Sequence, residues 1–161
     1  MATPQTFLQT LHVLQAGLAA YGAYQSYVAI TLLREYEGIT KKAAEWSNEA
    51  QFQLDRTRTT QGAGAIAIVA SMAGALTLAT IPSHLPFYVR FMMSPALLIG
   101  SIAARQHIVS FWGPQGGTRV PLPKMGDFNQ AQRKTKEVLN VLQWLEWSWV
   151  ATSFGWGVLG A

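Results

Sequence analysis

Four stretches of this chain are apolar over lengths that suit a bilayer: residues 7–33, 62–81, 87–109 and 138–159. A hydrocarbon core takes about 20 helical residues to cross. The link 82–86, PSHLP, puts two prolines between the second and third runs. They stop one helix and restart the next, and so short a link predicts antiparallel neighbours. The connection 34–61 is polar and reads as helical after Thr40, through KKAAEWSNEAQFQLDRTRTTQ, continuous with the second run. The connection 110–126 carries GPQGG and VPLPK, which is irregular loop chemistry. Asp127 then reads as the N-cap of a helix leading into the fourth run. The pattern predicts an all-α fold. It is a single domain over 1–161, a polytopic membrane protein built as an antiparallel four-helix transmembrane bundle. The first run has no Lys or Arg before it, so it is expected to be a retained span rather than a cleaved leader.

Composition agrees with this picture. Of the 161 residues 50% are hydrophobic and only 12% charged, against about 25% charged in an average soluble domain. No cysteine is present, which excludes disulfides, thiolate metal sites and cysteine nucleophiles. The net charge of +4 would suit a nucleic-acid partner, but its placement argues against one. Eleven of the twelve Lys and Arg residues lie at or within the regions between runs one and two or between runs three and four. Only Arg90 falls on the opposite side. The positive-inside rule then makes the basic loops 34–61 and 110–137 cytosolic and puts both termini on the other face. The endoplasmic reticulum is the expected membrane, the lipid bilayer the expected partner, and no nucleic acid is expected.

Candidate chemistry is sparse. Glu146 lies inside the fourth run, where an ionisable group at a helix centre costs about 2.5–3.5 kcal/mol or more and marks a function or a buried partner. Helical phase groups it with Asn140, Gln143 and Trp147 on one arc, expected to face inward. At similar depth the first run offers Tyr21, Tyr24 and Gln25, and the third offers Ser101 with Arg105 one turn above. Arg105 and Glu146 are within reach of each other on this reading. An isolated carboxyl in hydrocarbon would hold its proton and serve as a general acid; beside Arg105 it would be a fixed carboxylate. Both alternatives stay open, as does a purely structural hydrogen-bond network. Arg90, Ser94, Ser101 and Arg105 form a polar stripe on the third run, with Pro95 at its middle. Ala63, Ala67, Ser71, Ala75 and Ala79 form a small-residue stripe on the second, suited to close helix packing or to a homo-oligomer contact. His12, His84 and His107 are too far apart to share a metal, so no metal site is expected, and the sequence names no cofactor.

The segments AAEWSNEAQFQLDRTRTTQ, PSHLPFYVRFMMSPALL and VPLPKMGDFNQAQ are similar to those of small four-span integral membrane proteins of filamentous fungi. Some proteins of that size and topology serve secondary metabolism as oxygenases or cyclases on lipophilic intermediates. The membrane-associated eicosanoid and glutathione metabolism family also has four spans, with Asn and Glu following the Arg before its second span. Here RTTQGAGAIAI has Gly62 and Ala65 in that region, so glutathione binding is not expected. The leading expectation is a small membrane enzyme of cyclase, isomerase or oxygenase type. Glu146 and Arg105 would be its catalytic groups, and Asn140, Gln143, Tyr21, Tyr24, Gln25, Ser101 and Trp147 would contact a lipophilic small molecule. The competing expectation is a non-catalytic membrane subunit or scaffold.

Overall fold

A computed structural model of the chain describes residues 4–45, 47–113 and 125–159. It contains four long helices: α1 (Pro4–Ala44), α2 (Asn48–Thr80), α3 (Phe87–Trp112) and α4 (Met125–Leu159). Among the described residues there is no strand. Each helix packs on its neighbour in sequence, α4 closes back onto α1, and α2 also touches α4 across the diagonal. The up-down-up-down topology follows from the connections. Pro82–His84 forms one 3-10 turn between α2 and α3. Ser47 caps α2, its side chain accepting from the Ala50 amide.

Two boundaries differ from the sequence expectation. The polar segment after the first run is divided between two helices: α1 continues to Ala44, and α2 begins only at Asn48. Ser47 decides this, because its extended backbone and capping hydroxyl end one helix and start the next. Residue Asp127 lies inside the first turn of α4, which is already helical from Met125, rather than at its cap. The expected loop chemistry of 114–124 falls outside the described residues.

The buried positions share one spacing. On α1 they include Leu8, His12, Gln15, Ala19, Gly22, Ser26, Ala29 and Leu33, alternating steps of four and three. On α4 the same alternation runs through Ala131, Thr135, Val138, Leu142, Leu145, Trp149, Thr152 and Trp156. On α2 it joins Gln61, Gly64, Ile68, Ser71, Ala75 and Leu78. This is the heptad seam of a knobs-into-holes bundle. The α1–α4 contacts keep its register: Leu8 meets Gly155, Gln15 meets Ser148 and Gly22 meets Val141, each pair seven residues from the next on both helices.

The seam is unusual in content. Small and polar residues fill many of its positions, while Phe7, Leu14, Ile66, Leu76, Tyr88, Met92, Ile99 and Phe154 are exposed outside. Two helices, α2 from Ala50 onward and α3, are long and apolar enough to cross a membrane, and only 28% and 17% of their apolar windows are buried. The small stripe of α2 turns inward: Ser71 and Ala75 are buried, and Ala63, Ala67 and Ala79 half-buried. Ser71 and Ala75 are thus taken up by contacts within the chain. Helix α3 runs through Pro95, which leaves the Phe91 carbonyl without its usual donor.

Gly22 is where three helices come closest. A Cβ there would sit 2.6 Å from Val141 Cγ1 and 3.1 Å from Ile68 Cδ1. Valine is stiff about χ1, so it yields only if the backbone moves. Gly22→Ala is expected to destabilise the bundle by about 1–3 kcal/mol through overpacking. Gly17 has no atom within 4 Å of an added Cβ. Gly17→Ala is therefore expected to be neutral or to stabilise by up to about 1 kcal/mol through helix propensity. Unfolding of the two variants in detergent micelles checks this; equal effects would show that the close approach at Gly22 does not hold α1 in place.

Candidate functional site: a polar network in the bundle interior

Helix α4 is the hub of the interior polar contacts. Near the ends of the helices that flank the basic segments, Gln61 of α2 donates to the Thr135 hydroxyl at 2.8 Å, and Thr135 donates to the Ala131 carbonyl. Trp112 of α3 donates to Thr60 of α2 at 2.9 Å. Further along, Arg105 Nε donates to Glu146 Oε1 at 2.6 Å, joining α3 to α4. Trp149 Nε1 donates to Ser71 Oγ at 3.3 Å, and Thr152 to Ser94 at 3.3 Å. Gln15 of α1 donates to Ser148 Oγ at 3.0 Å. Apart from the Thr135–Ala131 bond within α4, each contact ties two helices together. Outside the interior, Arg58 pairs with Glu37 and links α2 to α1, and Arg56 lies over the Phe52 ring.

The pair at Glu146 has a defined geometry. Glu146 sits on the edge of the α4 seam beside Leu142, Leu145 and Trp149, and is almost fully buried. Arg105 is 33% exposed, so its guanidinium keeps some contact with the surroundings while reaching the carboxylate. The two side chains form a salt bridge that joins α3 to α4.

The other residues expected around Glu146 are dispersed. Gln25 and Ser101 are buried, and Gln25 Oε1 and Ser101 Oγ have no hydrogen-bond partner. Tyr21, Tyr24 and Trp147 are exposed large side chains on the outer surface. Asn140 and Gln143 are exposed as well. The expected inward arc of Asn140, Gln143, Glu146 and Trp147 is thus corrected: only Glu146 faces in. The reason is that the α4 seam is set by Val138, Leu142, Leu145, Trp149 and Thr152, and Glu146 alone of the four lies beside it.

Sequence reasoning missed His12. It is fully buried, and its Nδ1 lies 2.6 Å from Gln15 Oε1. Ser148 donates its own hydroxyl to the Leu145 carbonyl, so it accepts from Gln15. Gln15 therefore turns its amide nitrogen to Ser148 and its oxygen to His12. That chain requires His12 Nδ1 to carry the proton and assigns its tautomer from the network. The signal that would have found His12 is the step from Leu8 to His12 to Gln15 to Ala19, the heptad seam itself.

Beside the Gln15–Ser148 contact lies a groove of about 370 Å³ between α1 and α4, lined by Leu11, Leu14, Gln15, Leu18, Trp144 and Ser148. Its walls are largely apolar, and the lining side chains that carry polar atoms are Gln15, Ser148 and Trp144. Small-molecule sites are commonly about 300–1,000 Å³, apolar, with a few placed polar groups. Glu146 and Arg105 do not line it. Comparison with known protein families, with curated proteins and with solved structures finds no match.

The ion pair makes a testable cycle. Glu146→Leu leaves Arg105 unpaired and is expected to cost about 2 kcal/mol, below the ~3–5 kcal/mol of a fully enclosed pair because Arg105 can reach solvent or headgroups. Adding Arg105→Met is expected to recover most of that loss, since apolar replacement of a whole buried pair is often neutral. A double variant no more stable than the single one, in the same micelle unfolding assay, contradicts the pairing.

Proposed function

We propose that the chain is a four-span membrane protein that takes a lipophilic small molecule into the α1–α4 groove and acts on it within the bilayer. In this placement residues 7–33, 62–81, 87–109 and 138–159 cross the membrane, and the basic segments face the cytosol, with the endoplasmic reticulum as the membrane. The observation that carries the proposal is the groove: apolar walls, a volume suited to a small molecule, and the Gln15–Ser148 contact at its floor. A lipophile entering sideways from the hydrocarbon would leave little of its surface to be desolvated, and its one polar group would compete for the amide or the hydroxyl. The groups there, an amide, a hydroxyl and an imidazole one hydrogen bond behind, handle protons. That suits cyclisation or isomerisation within the expected reaction classes.

The second reading is a non-catalytic membrane subunit. One observation favours it: Glu146 is matched by Arg105 and lies apart from the groove, so it serves the bundle rather than a ligand. The two readings differ at the groove. Leu18→Trp places a larger side chain in it, on a half-buried position that is not part of the seam. Mass spectrometry of small molecules co-purifying with the wild type is expected to find a lipophilic species, reduced about tenfold or more by Leu18→Trp, equivalent to about 1.4 kcal/mol of binding. The absence of any such species, or its retention in a folded Leu18→Trp variant, favours the subunit reading.

A further inference from the structure

Three buried nitrogen atoms without hydrogen-bond partners belong to three side chains in contact near the ends of the helices farthest from the basic segments. They are His12 Nε2 on α1, Trp156 Nε1 on α4 and Arg90 Nε on α3. The His12 and Trp156 rings are stacked, with centroids 6.2 Å apart and planes 20° apart. The Arg90 guanidinium carbon lies over the same indole, 5.4 Å from its centroid. His12 is 0% and Trp156 4% exposed, so bulk water does not reach either ring.

The chemistry of the three atoms is complementary. Gln15 holds the His12 proton on Nδ1, so Nε2 of the neutral ring is an acceptor. Trp156 Nε1 and Arg90 Nε are donors only. The rings cannot satisfy each other directly. An indole N–H lies in its ring plane, an imidazole lone pair lies in its own, and stacking sets those directions side by side rather than head-on. A bridging group must accept twice and donate once. A carboxylate or carbonyl oxygen accepts but offers nothing to Nε2, and an ammonium offers no acceptor to the two donors. A neutral hydroxyl does both.

We propose that His12, Trp156 and Arg90 form an enclosed site for one hydroxyl group, either that of a water molecule or that of a lipophilic alcohol entering from the bilayer. The hydroxyl proton points to His12 Nε2, and its oxygen receives the N–H groups of Trp156 and Arg90. A bound alcohol is thus polarised toward a base while two donors face its oxygen. The site lies among α1, α3 and α4 around Trp156; His12 and Trp156 do not line the α1–α4 groove, and the two are linked through the Gln15–His12 hydrogen bond.

The test uses the full chain in lipid nanodiscs, labelled with nitrogen-15 at tryptophan. The Trp156 indole resonance is assigned by its loss in Trp156→Phe. The probes are 1-dodecanol and, as its hydroxyl-free control, dodecane. The expected result is a downfield-shifted, hydrogen-bonded Trp156 N–H. A magnetisation-transfer cross-peak to water before any addition identifies the source as water. A further shift on adding 1-dodecanol, without one on adding dodecane, identifies it as the alcohol. His12→Leu removes the acceptor and is expected to abolish the water cross-peak or to weaken 1-dodecanol binding about tenfold, the effect of one buried hydrogen bond. His12→Gln supplies a second variant that keeps a polar side chain if His12→Leu does not fold. A Trp156 N–H at the free-indole position with no water cross-peak and no response to 1-dodecanol overturns the proposal. So does a response unchanged in both His12 variants.

Discussion

A polar group inside an apolar medium must find its partner within the protein, and the interior of this bundle is organised by that constraint. Among the described residues twelve polar or charged side chains are buried, including His12, Gln15, Gln61, Ser71, Ser94, Thr135, Glu146 and Thr152, while many large apolar side chains lie outside. A water-soluble bundle has the opposite arrangement, with the large apolar groups on the seam. Here small and polar residues share the seam with Leu, Ile, Val and Trp side chains, so the helices approach closely at the small positions and are joined by hydrogen bonds at the polar ones. In lipid such interhelical bonds contribute about 0.6 to 2 kcal/mol each, and close packing supplies the rest. Both effects need the same residues: Gly22 admits Val141, Gly64 admits Ile108, and Ser71 meets Trp149.

The chemistry follows from where the network is complete and where it is not. Glu146 is complete: Arg105 matches it, and the pair fixes α3 against α4. Thr60, Gln61, Thr135 and Trp112 are complete as well. At the other end the network runs from Leu145 through Ser148 and Gln15 to His12 and there ends on an unpartnered Nε2. The same Gln15–Ser148 contact is the polar floor of the groove. Gln25 Oε1, Ser26 Oγ and Ser101 Oγ are also unpartnered, nearer the depth of Glu146, but at the His12 end three unmatched groups, His12 Nε2, Trp156 Nε1 and Arg90 Nε, belong to side chains packed around one indole and have the capacity to meet a ligand.

Much of the fold was legible in the sequence. The four apolar runs, the PSHLP link and the polar connections on either side of them give four helices and their alternation in direction. The end of α1 was not legible, because good helix formers lie on both sides of Ser47, residues 41–44 before it and 49–51 after it, and only the cap geometry divides them. The meeting of Arg105 and Glu146 followed from depth alone. The exposed positions of Asn140 and Gln143 did not, because polarity was taken to mark the inward face of α4 when Leu142, Leu145 and Trp149 mark it. His12 stayed hidden for the same reason in reverse. A seam in which polar and small residues hold the heptad positions gives no hydrophobic period, so only the four-three spacing of His12, Gln15, Ala19 and Gly22 reveals it.

The central claim is that the apolar outer surface faces lipid and the polar seam faces inward. The chain has no native cysteine, so single nitroxide labels attach where they are placed. Labels replacing Leu76 and Ile99, 48% and 68% exposed on α2 and α3, are compared with labels replacing Asp55 and Ser83 outside the proposed spans. In lipid vesicles, Leu76 and Ile99 labels should collide with dissolved oxygen more often than with a water-soluble nickel chelate, and Asp55 and Ser83 labels should do the reverse. Dominant nickel collisions at Leu76 and Ile99 would contradict the claim.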